Sequence, residues 1–267
     1  AMRPAFENGG HILIIGGGYI GLEAAAVAAK RGLKVTLIEM ADCILQRVAC
    51  AETSDYFREL HLSHGVTLLE GVGLTRLTGA EHVTGAALSN GTTLDIDFAL
   101  VGVGIQPNTG LAEVAGLTLN NGIETNALGQ TSAPNIWAAG DCASFPYKDR
   151  RIRLESVPNA IDQAEVVAAN MLGAAKEYHA TPWFWSDQYD VKLQIAGLNQ
   201  GFDKVVTRQG DAGRSHWYYK GGQLLAVDAM NDPRAYMVAK RLIEAGKTVD
   251  PTLVADPSSD LKALLRR

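Results

Sequence analysis

The chain has 267 residues, 47% of them hydrophobic and 20% charged, so it can bury a sizeable core, and disorder and collagen-like structure are excluded. With 24 basic against 29 acidic residues the formal charge is -5, which offers no electrostatic footprint for nucleic acid, whose binding depends on neutralising phosphates. No window approaches the roughly 20 uninterrupted apolar residues of a bilayer span, and no basic segment precedes an apolar core at the start. The expectation is a soluble, cytoplasmic chain with neither a membrane nor a nucleic-acid partner.

The opening apolar run over residues 11–15 ends in Gly16, Gly17 and Gly18, which predicts a buried parallel strand entering a tight turn. The Ala-rich stretch 19–31 predicts a helix, closed by Gly32 in the left-handed C-terminal conformation. Residues 34–39 are β-formers, and strand, helix and strand within about 30 residues make a right-handed βαβ unit and therefore a parallel sheet. The spacing of Tyr56, Phe57, Leu60 and Leu62 predicts a helix over 52–64, stopped by Gly65, with a strand over 66–69. Strands over 74–77, 82–88 and 92–96, with Asn90-Gly91 as a hairpin turn, predict an inserted antiparallel meander. Residues 97–103 return to an apolar strand, and the punctuation at Gly102, Gly104 and Pro107 puts a ligand-facing loop at its end. A strand over 135–141 runs into Gly140-Asp141, and Ser156 precedes a helix over 157–172. Beyond Pro182 the composition shifts to aromatics and β-formers, with Gly221-Gly222 marking a hairpin and a charged helix over 233–245.

Cys43, Cys50 and Cys142 make an odd count without C-x-x-C spacing, which predicts buried reduced thiols. His61 and His64 stand three apart on a predicted helix, but no third ligand is evident, so they read as surface histidines and no metal is expected. The leading Ala1-Met2 suggests a residue added ahead of a chosen start.

The chemistry concentrates in the first turn. Gly16-x-Gly18-x-x-Gly21 lies between a strand and a helix, so backbone N–H groups at the positive end of the helix can face a pyrophosphate. Glu39 closes the second strand 18 residues after Gly21, where its carboxylate can accept hydrogen bonds from adenosine ribose hydroxyls. The same charge repels a 2'-phosphate and favours NAD over NADP, although Arg47 is close enough in sequence to complicate that preference.

Four separated motifs then occur in one order: residues 16–23 (Gly-Gly-Gly-Tyr-Ile-Gly-Leu-Glu), 138–141 (Ala-Ala-Gly-Asp), 154–160 (Leu-Glu-Ser-Val-Pro-Asn-Ala) and 182–188 (Pro-Trp-Phe-Trp-Ser-Asp-Gln). Together they resemble the ferredoxin reductases of the putidaredoxin and rhodocoxin reductase type, from about Gly10 to the C-terminus. The resemblance implies an α/β fold with a Rossmann-like NAD-binding domain over 1–123 carrying the meander. It also implies the returning part of an FAD-binding domain over 124–179 and a C-terminal α+β interface domain over 180–267. That family has a preceding FAD-binding segment with its own glycine loop, and this sequence contains none, so the expectation is a truncated portion that binds NADH and does not retain FAD.

In such enzymes NADH delivers a hydride to FAD, and electrons pass singly to a two-iron two-sulfur ferredoxin serving an oxygenase. Carried over by position, Gly16, Gly18, Ile20, Gly21, Glu39, Arg47 and Gly104 fall to the nucleotide, and Gly140, Asp141, Glu155, Ser156, Val157 and Trp185 to the flavin. Tyr19 resembles the aromatic gate where nicotinamide stacks, and Glu23 the carboxylate paired with a lysine near flavin N5. Read from periodicity alone, Glu23 is an exposed helix carboxylate pairing with Lys30 or solvent. Lys148, Arg150, Arg151 and Arg153 form a basic cluster able to steer an acidic ferredoxin, or a solvated loop. Two alternatives stand beside this: a disulfide reductase of the glutathione reductase kind, whose His-containing C-terminal motif does not appear, and a non-catalytic NADH-binding module like apoptosis-inducing factor.

Overall fold

A computed structural model describes residues 3–210 and 213–265; the Ala1-Met2 reading lies outside them. The chain divides into two compact units: the first contains residues 1–104, 185–195 and 199–267, the second residues 105–184 and 196–198.

In the first unit, helix α1 (Arg3–Asn8) leads into β1 (His11–Ile15), α2 (Tyr19–Lys30), β2 (Lys34–Glu39), α3 (Ala51–Ser63) and β3 (Thr67–Glu70). The meander β4 (Leu74–Thr78), β5 (Gly85–Leu88) and β6 (Thr93–Asp95) follows, then β7 (Phe98–Val101). Strands β3, β2, β1 and β7 form a parallel sheet in that order. The sheet is covered on both faces, by the meander segment on one and by α2 on the other, which is why four of the five β1 residues are buried. On one face Leu13, Ile15 and Ile38 pack with Ala86, Leu88 and Ile96 of the meander segment. On the other, Gly21 of α2 closes against Ile14 and lets helix and strand approach.

The second unit contains α4 (Gly110–Val114), β8 (Ile123–Glu124), β9 (Ala143–Tyr147), β10 (Arg150–Ile152) and α5 (Val157–Met171). Its sheet runs β10-β9-β8. The strand predicted over 135–141 is not formed. Trp137 makes a single bridge to Gln130, Ala138 N–H donates to Gly129 O, Thr131 N–H donates to Ile136 O, and the chain enters a 3₁₀ turn over Gly140–Cys142. The apolar run pairs locally with the turn before it instead of entering a ladder.

Strands β11 (Trp183–Gln188), β12 (Val191–Gly197), β13 (Lys204–Gln209), β14 (Arg214–Lys220) and β15 (Gln223–Met230) form a five-stranded sheet in the order β11-β12-β15-β14-β13. Helices α6 (Pro233–Glu244), α7 (Pro251–Ala255) and α8 (Leu261–Leu264) complete the chain. Arg208 on β13 is 7% exposed, and its guanidinium donates to the carbonyls of Val254 (3.1 Å), Asp256 (2.5 Å), Pro257 (2.9 Å) and Ser259 (3.0 Å).

Two expectations are corrected here. His61 is fully buried while only His64 is exposed, because α3 turns Thr53, Ser54, Phe57 and His61 inward. Of the three free thiols only Cys50 is buried; Cys43 and Cys142 are partly exposed.

Candidate functional site

The glycine loop joins the end of β1 to the start of α2. A Cβ at Gly16 would lie 2.3 Å from Gly102 O, and one at Gly21 would lie 2.0 Å from Gly16 O, so both positions are closed by the chain itself. Gly18 is different: its φ of -79° suits any residue, and a Cβ there would meet nothing within 4 Å. Neither backbone conformation nor packing requires glycine at that point, and the open space leaves room for a ligand to approach the backbone closely. The first turn of α2 has no side-chain cap, so its amides have no acceptor within the helix. A pyrophosphate fits that arrangement.

Glu39 organises the loop. One carboxylate oxygen accepts from Gly17 N–H at 2.6 Å and the other from Ala41 N–H at 2.8 Å. Each oxygen keeps a further lone pair, and the half-buried carboxylate is placed at the loop where a ribose hydroxyl could reach it. Met40 beside it is 80% exposed. Arg47 is exposed on the segment after β2, and its guanidinium lies 3.7 Å from where a Gly104 Cβ would stand, placing it against the loop that follows β7. Gly104 has a φ of +100°, in the range that favours glycine.

Ile20 is 67% exposed on α2, while Tyr19 is half-buried at its start. Burial, with the nearby Asp228 charge adding to it, holds the Tyr19 hydroxyl well above the usual tyrosine range. Glu23, one turn along, is half-buried and accepts a hydrogen bond from Ser186 Oγ at 2.7 Å. That partner differs from the lysine or solvent suggested by periodicity. Trp185 is 43% exposed on β11.

In the second unit, Gly140 takes a φ of +77° and its N–H donates to Gln163 Oε1 at 2.8 Å. Asp141 is exposed, and its carbonyl accepts from Arg153 Nη1 at 3.0 Å. Glu155 pairs with Arg153 at 2.7 Å. Ser156 occupies the N-cap position of α5 without capping it, because its hydroxyl donates to Trp183 O at 3.1 Å. The helix therefore presents an uncapped first turn, with Val157 60% and Ile161 54% exposed beside it. Open amides next to apolar surface suit a polar ring edge carrying an aromatic body, as the flavin pyrimidine does.

The basic cluster separates into two kinds. Arg151 Nη1 donates to Thr125 O and Ser144 O, and its Nη2 lies 3.4 Å from Glu124; Arg153 is bound as described. These two hold the unit's own loops. Lys148 and Arg150 are exposed at the β9–β10 hairpin.

Sequence reasoning did not find Ser186, Gln188 and His61 as neighbours of Glu23, nor the buried group Thr53, His216, Tyr218 and Asp228. The available signal was alternation: Ser186 and Gln188 sit two apart on a strand and so share a face.

A parallel sheet whose first strand passes through a glycine turn into a helix, with an acid closing the next strand, defines an α/β protein with a dinucleotide-type βαβ unit. Residues 2–164 match the pyridine nucleotide-disulphide oxidoreductase family, and residues 183–265 match the reductase C-terminal family. The first match covers more than half of the chain, which therefore belongs to the pyridine nucleotide-disulphide oxidoreductase family. The chain is 45% identical to ferredoxin--NAD(P)(+) reductase fdr of a Sphingomonas species, over 94% of this chain and 62% of that protein. It is 41% identical to putidaredoxin reductase CamA of Pseudomonas putida, over 95% of this chain and 62% of that protein. The reductase in a covalent putidaredoxin reductase-putidaredoxin complex superimposes with a TM-score of 0.95 at 38% identity, over 99% of this chain and 65% of that one. The chain thus spans 62% of the length of each of these two curated relatives. Among the described residues no helix is long and apolar enough to cross a membrane.

Proposed function

We propose that the chain serves electron transfer from NADH through FAD to a two-iron two-sulfur ferredoxin of an oxygenase system. The observation that carries this is the open backbone at Gly18, where nothing lies within 4 Å of a Cβ, in a family whose relatives here are named ferredoxin and putidaredoxin reductases. The solved complex of a similar reductase with putidaredoxin supports a ferredoxin partner.

When bound, the cofactors supply the redox chemistry, with NADH giving a hydride and FAD passing its two electrons on one at a time. The amides of the glycine loop, with Gly16, Gly18, Ile20 and Gly21, bind the coenzyme diphosphate. Glu39 accepts from the adenosine ribose and repels a 2'-phosphate. Arg47 borders Gly104 in the loop that follows β7, and both are assigned to the nucleotide. Tyr19 stands where nicotinamide stacks, and Glu23 is the carboxylate facing the reacting rings. Gly140, Asp141, Glu155, Ser156, Val157 and Trp185 hold the flavin, with the positive end of α5 offsetting negative charge on its ring. The working domains are residues 1–123 for NADH, 124–179 for the flavin and 180–267 for the interface.

Calorimetric titration of the 267-residue polypeptide tests this. NADH should bind at least tenfold, about 1.4 kcal/mol, more tightly than NADPH, and the purified polypeptide should carry less than one flavin by absorbance. Tighter NADPH binding would overturn the role of Glu39, one flavin per polypeptide would overturn the expectation that FAD is lost, and no binding at saturating NADH would remove the redox reading.

A further inference from the structure

A single file of hydrogen bonds ends on the Glu23 carboxylate. Ser186 Oγ donates to Glu23 Oε1 at 2.7 Å, and Gln188 Nε2 donates to Ser186 Oγ at 3.1 Å. His61 Nε2 lies 2.9 Å from Gln188 Oε1, and Tyr189 Oη lies 3.2 Å from His61 Nδ1. Ser186, Gln188 and His61 are all 0% exposed, so water does not compete for these bonds. Ser186 and Gln188 share the buried face of the edge strand β11, two residues apart, and so stand in line between Glu23 from α2 and His61 from α3.

Donor and acceptor chemistry fixes every proton in the file. An ionised carboxylate only accepts, so the one hydroxyl proton of Ser186 is committed to Glu23. Ser186 must then accept from the Gln188 amide nitrogen, which turns the amide oxygen toward His61. That oxygen requires an N–H at His61 Nε2, leaving Nδ1 to accept from the Tyr189 hydroxyl. Burial also holds the His61 pKa below the usual histidine value, in keeping with a neutral ring. Tyr189 closes the file in a left-handed conformation, φ +57°, held by Lys30 Nζ on its carbonyl at 2.7 Å and by the His64 ring stacked 3.7 Å away.

We infer that Ser186, Gln188 and His61 are positioning residues that hold Glu23 in one rotamer, with His61 locked as its Nε2–H tautomer. An amide in the middle cannot pass a proton along, so the file orients Glu23 and does not supply it with protons. The purpose assigned to it rests on the proposed role of Glu23.

Nuclear magnetic resonance on the full chain tests the inference, reading the Glu23 side-chain carboxyl carbon, assigned with Glu23→Gln, and the ring nitrogens of His61. Ring nitrogens characteristic of Nε2–H are expected. Gln188→Leu and His61→Leu touch no atom of Glu23, yet both should move its carboxyl resonance, while His61→Gln, which keeps an N–H in reach, should return it toward the wild-type position. An Nδ1–H tautomer overturns the inference. So does a Glu23 resonance that moves in Ser186→Ala but matches wild type in Gln188→Leu and both His61 variants. Failure of the underlying reading looks different: in the complete, flavin-bearing protein, Glu23→Gln with wild-type NADH affinity and flavin-reduction rate removes the role of Glu23 while the resonance results stand.

Discussion

Gly18 is distinguished from the glycines around it because nothing in the chain needs it. Gly18→Ala should leave the unfolding free energy from urea titration within about 0.5 kcal/mol of wild type and weaken NADH binding on the order of tenfold. Gly21→Ala places a methyl 2.0 Å from Gly16 O and should cost about 1–3 kcal/mol of stability in the same unfolding experiment. Equal stability losses for the two variants would show that Gly18 serves packing after all. At this scale the sequence was informative about residue types and uninformative about their partners. The spacing of Glu39 from the loop was legible, but its grip on the Gly17 and Ala41 amides was not, because the donors a carboxylate meets become visible only when the loop folds back.

Helix α3 meets strands β14 and β15 through polar atoms. Thr53 Oγ1 donates to Asp228 Oδ2 at 2.8 Å and accepts from His216 Nδ1 at 2.7 Å, and the Tyr218 hydroxyl also donates to Asp228. Asp228 Oδ1 and His216 Nε2 are buried without a partner. Burial pushes Asp228 up to about 6, and burial followed by the Arg214 charge pushes His216 down to about 4. Between about pH 4 and 6 an unfolded aspartate has lost its proton while folded Asp228 keeps it, so its contribution to stability falls as pH rises. Unfolded histidine gains a proton below about 6.5 while folded His216 does not until about 4, so its contribution falls as pH drops through the same window. The two contributions oppose one another, each changing by about 3 kcal/mol across its window. Relative to wild type, Asp228→Asn should therefore gain stability as pH rises from about 4 to 6.5, and His216→Gln should lose it. Parallel stability curves for wild type and both variants in denaturant titrations would sink the assignment. This interface escaped the sequence because α3 buries Thr53, Ser54 and His61 beside Phe57, a face that apolar periodicity does not detect.

For the whole molecule, the βαβ unit, the meander and the C-terminal sheet were legible because glycine punctuation and β-former runs agree with the tertiary structure. The segment 135–141 was misread because its apolar run has a strand's composition, while its backbone bonds go to the preceding turn. The basic cluster also sorts only in three dimensions. Arg151 and Arg153 hold loops, and it is by their exposure at the hairpin that Lys148 and Arg150 become the positions at which the proposed partner steering is tested. In the complete, flavin-bearing protein of the proposed function, Lys148→Glu with Arg150→Glu should slow reduction of the proposed ferredoxin partner roughly tenfold at low salt and flatten its dependence on ionic strength. Rates that track wild type across the salt series would leave this hairpin outside the docking surface.

The guanidinium of Arg208 gathers four carbonyls between Val254 and Ser259, a job for which a lysine has too few donors in the right plane. It acts as a stopper near the tail end of the polypeptide. Exopeptidase trimming from the C-terminus should stall in native protein before Ser259 and proceed past it in Arg208→Lys, with mass spectrometry of the digest reading the arrest point.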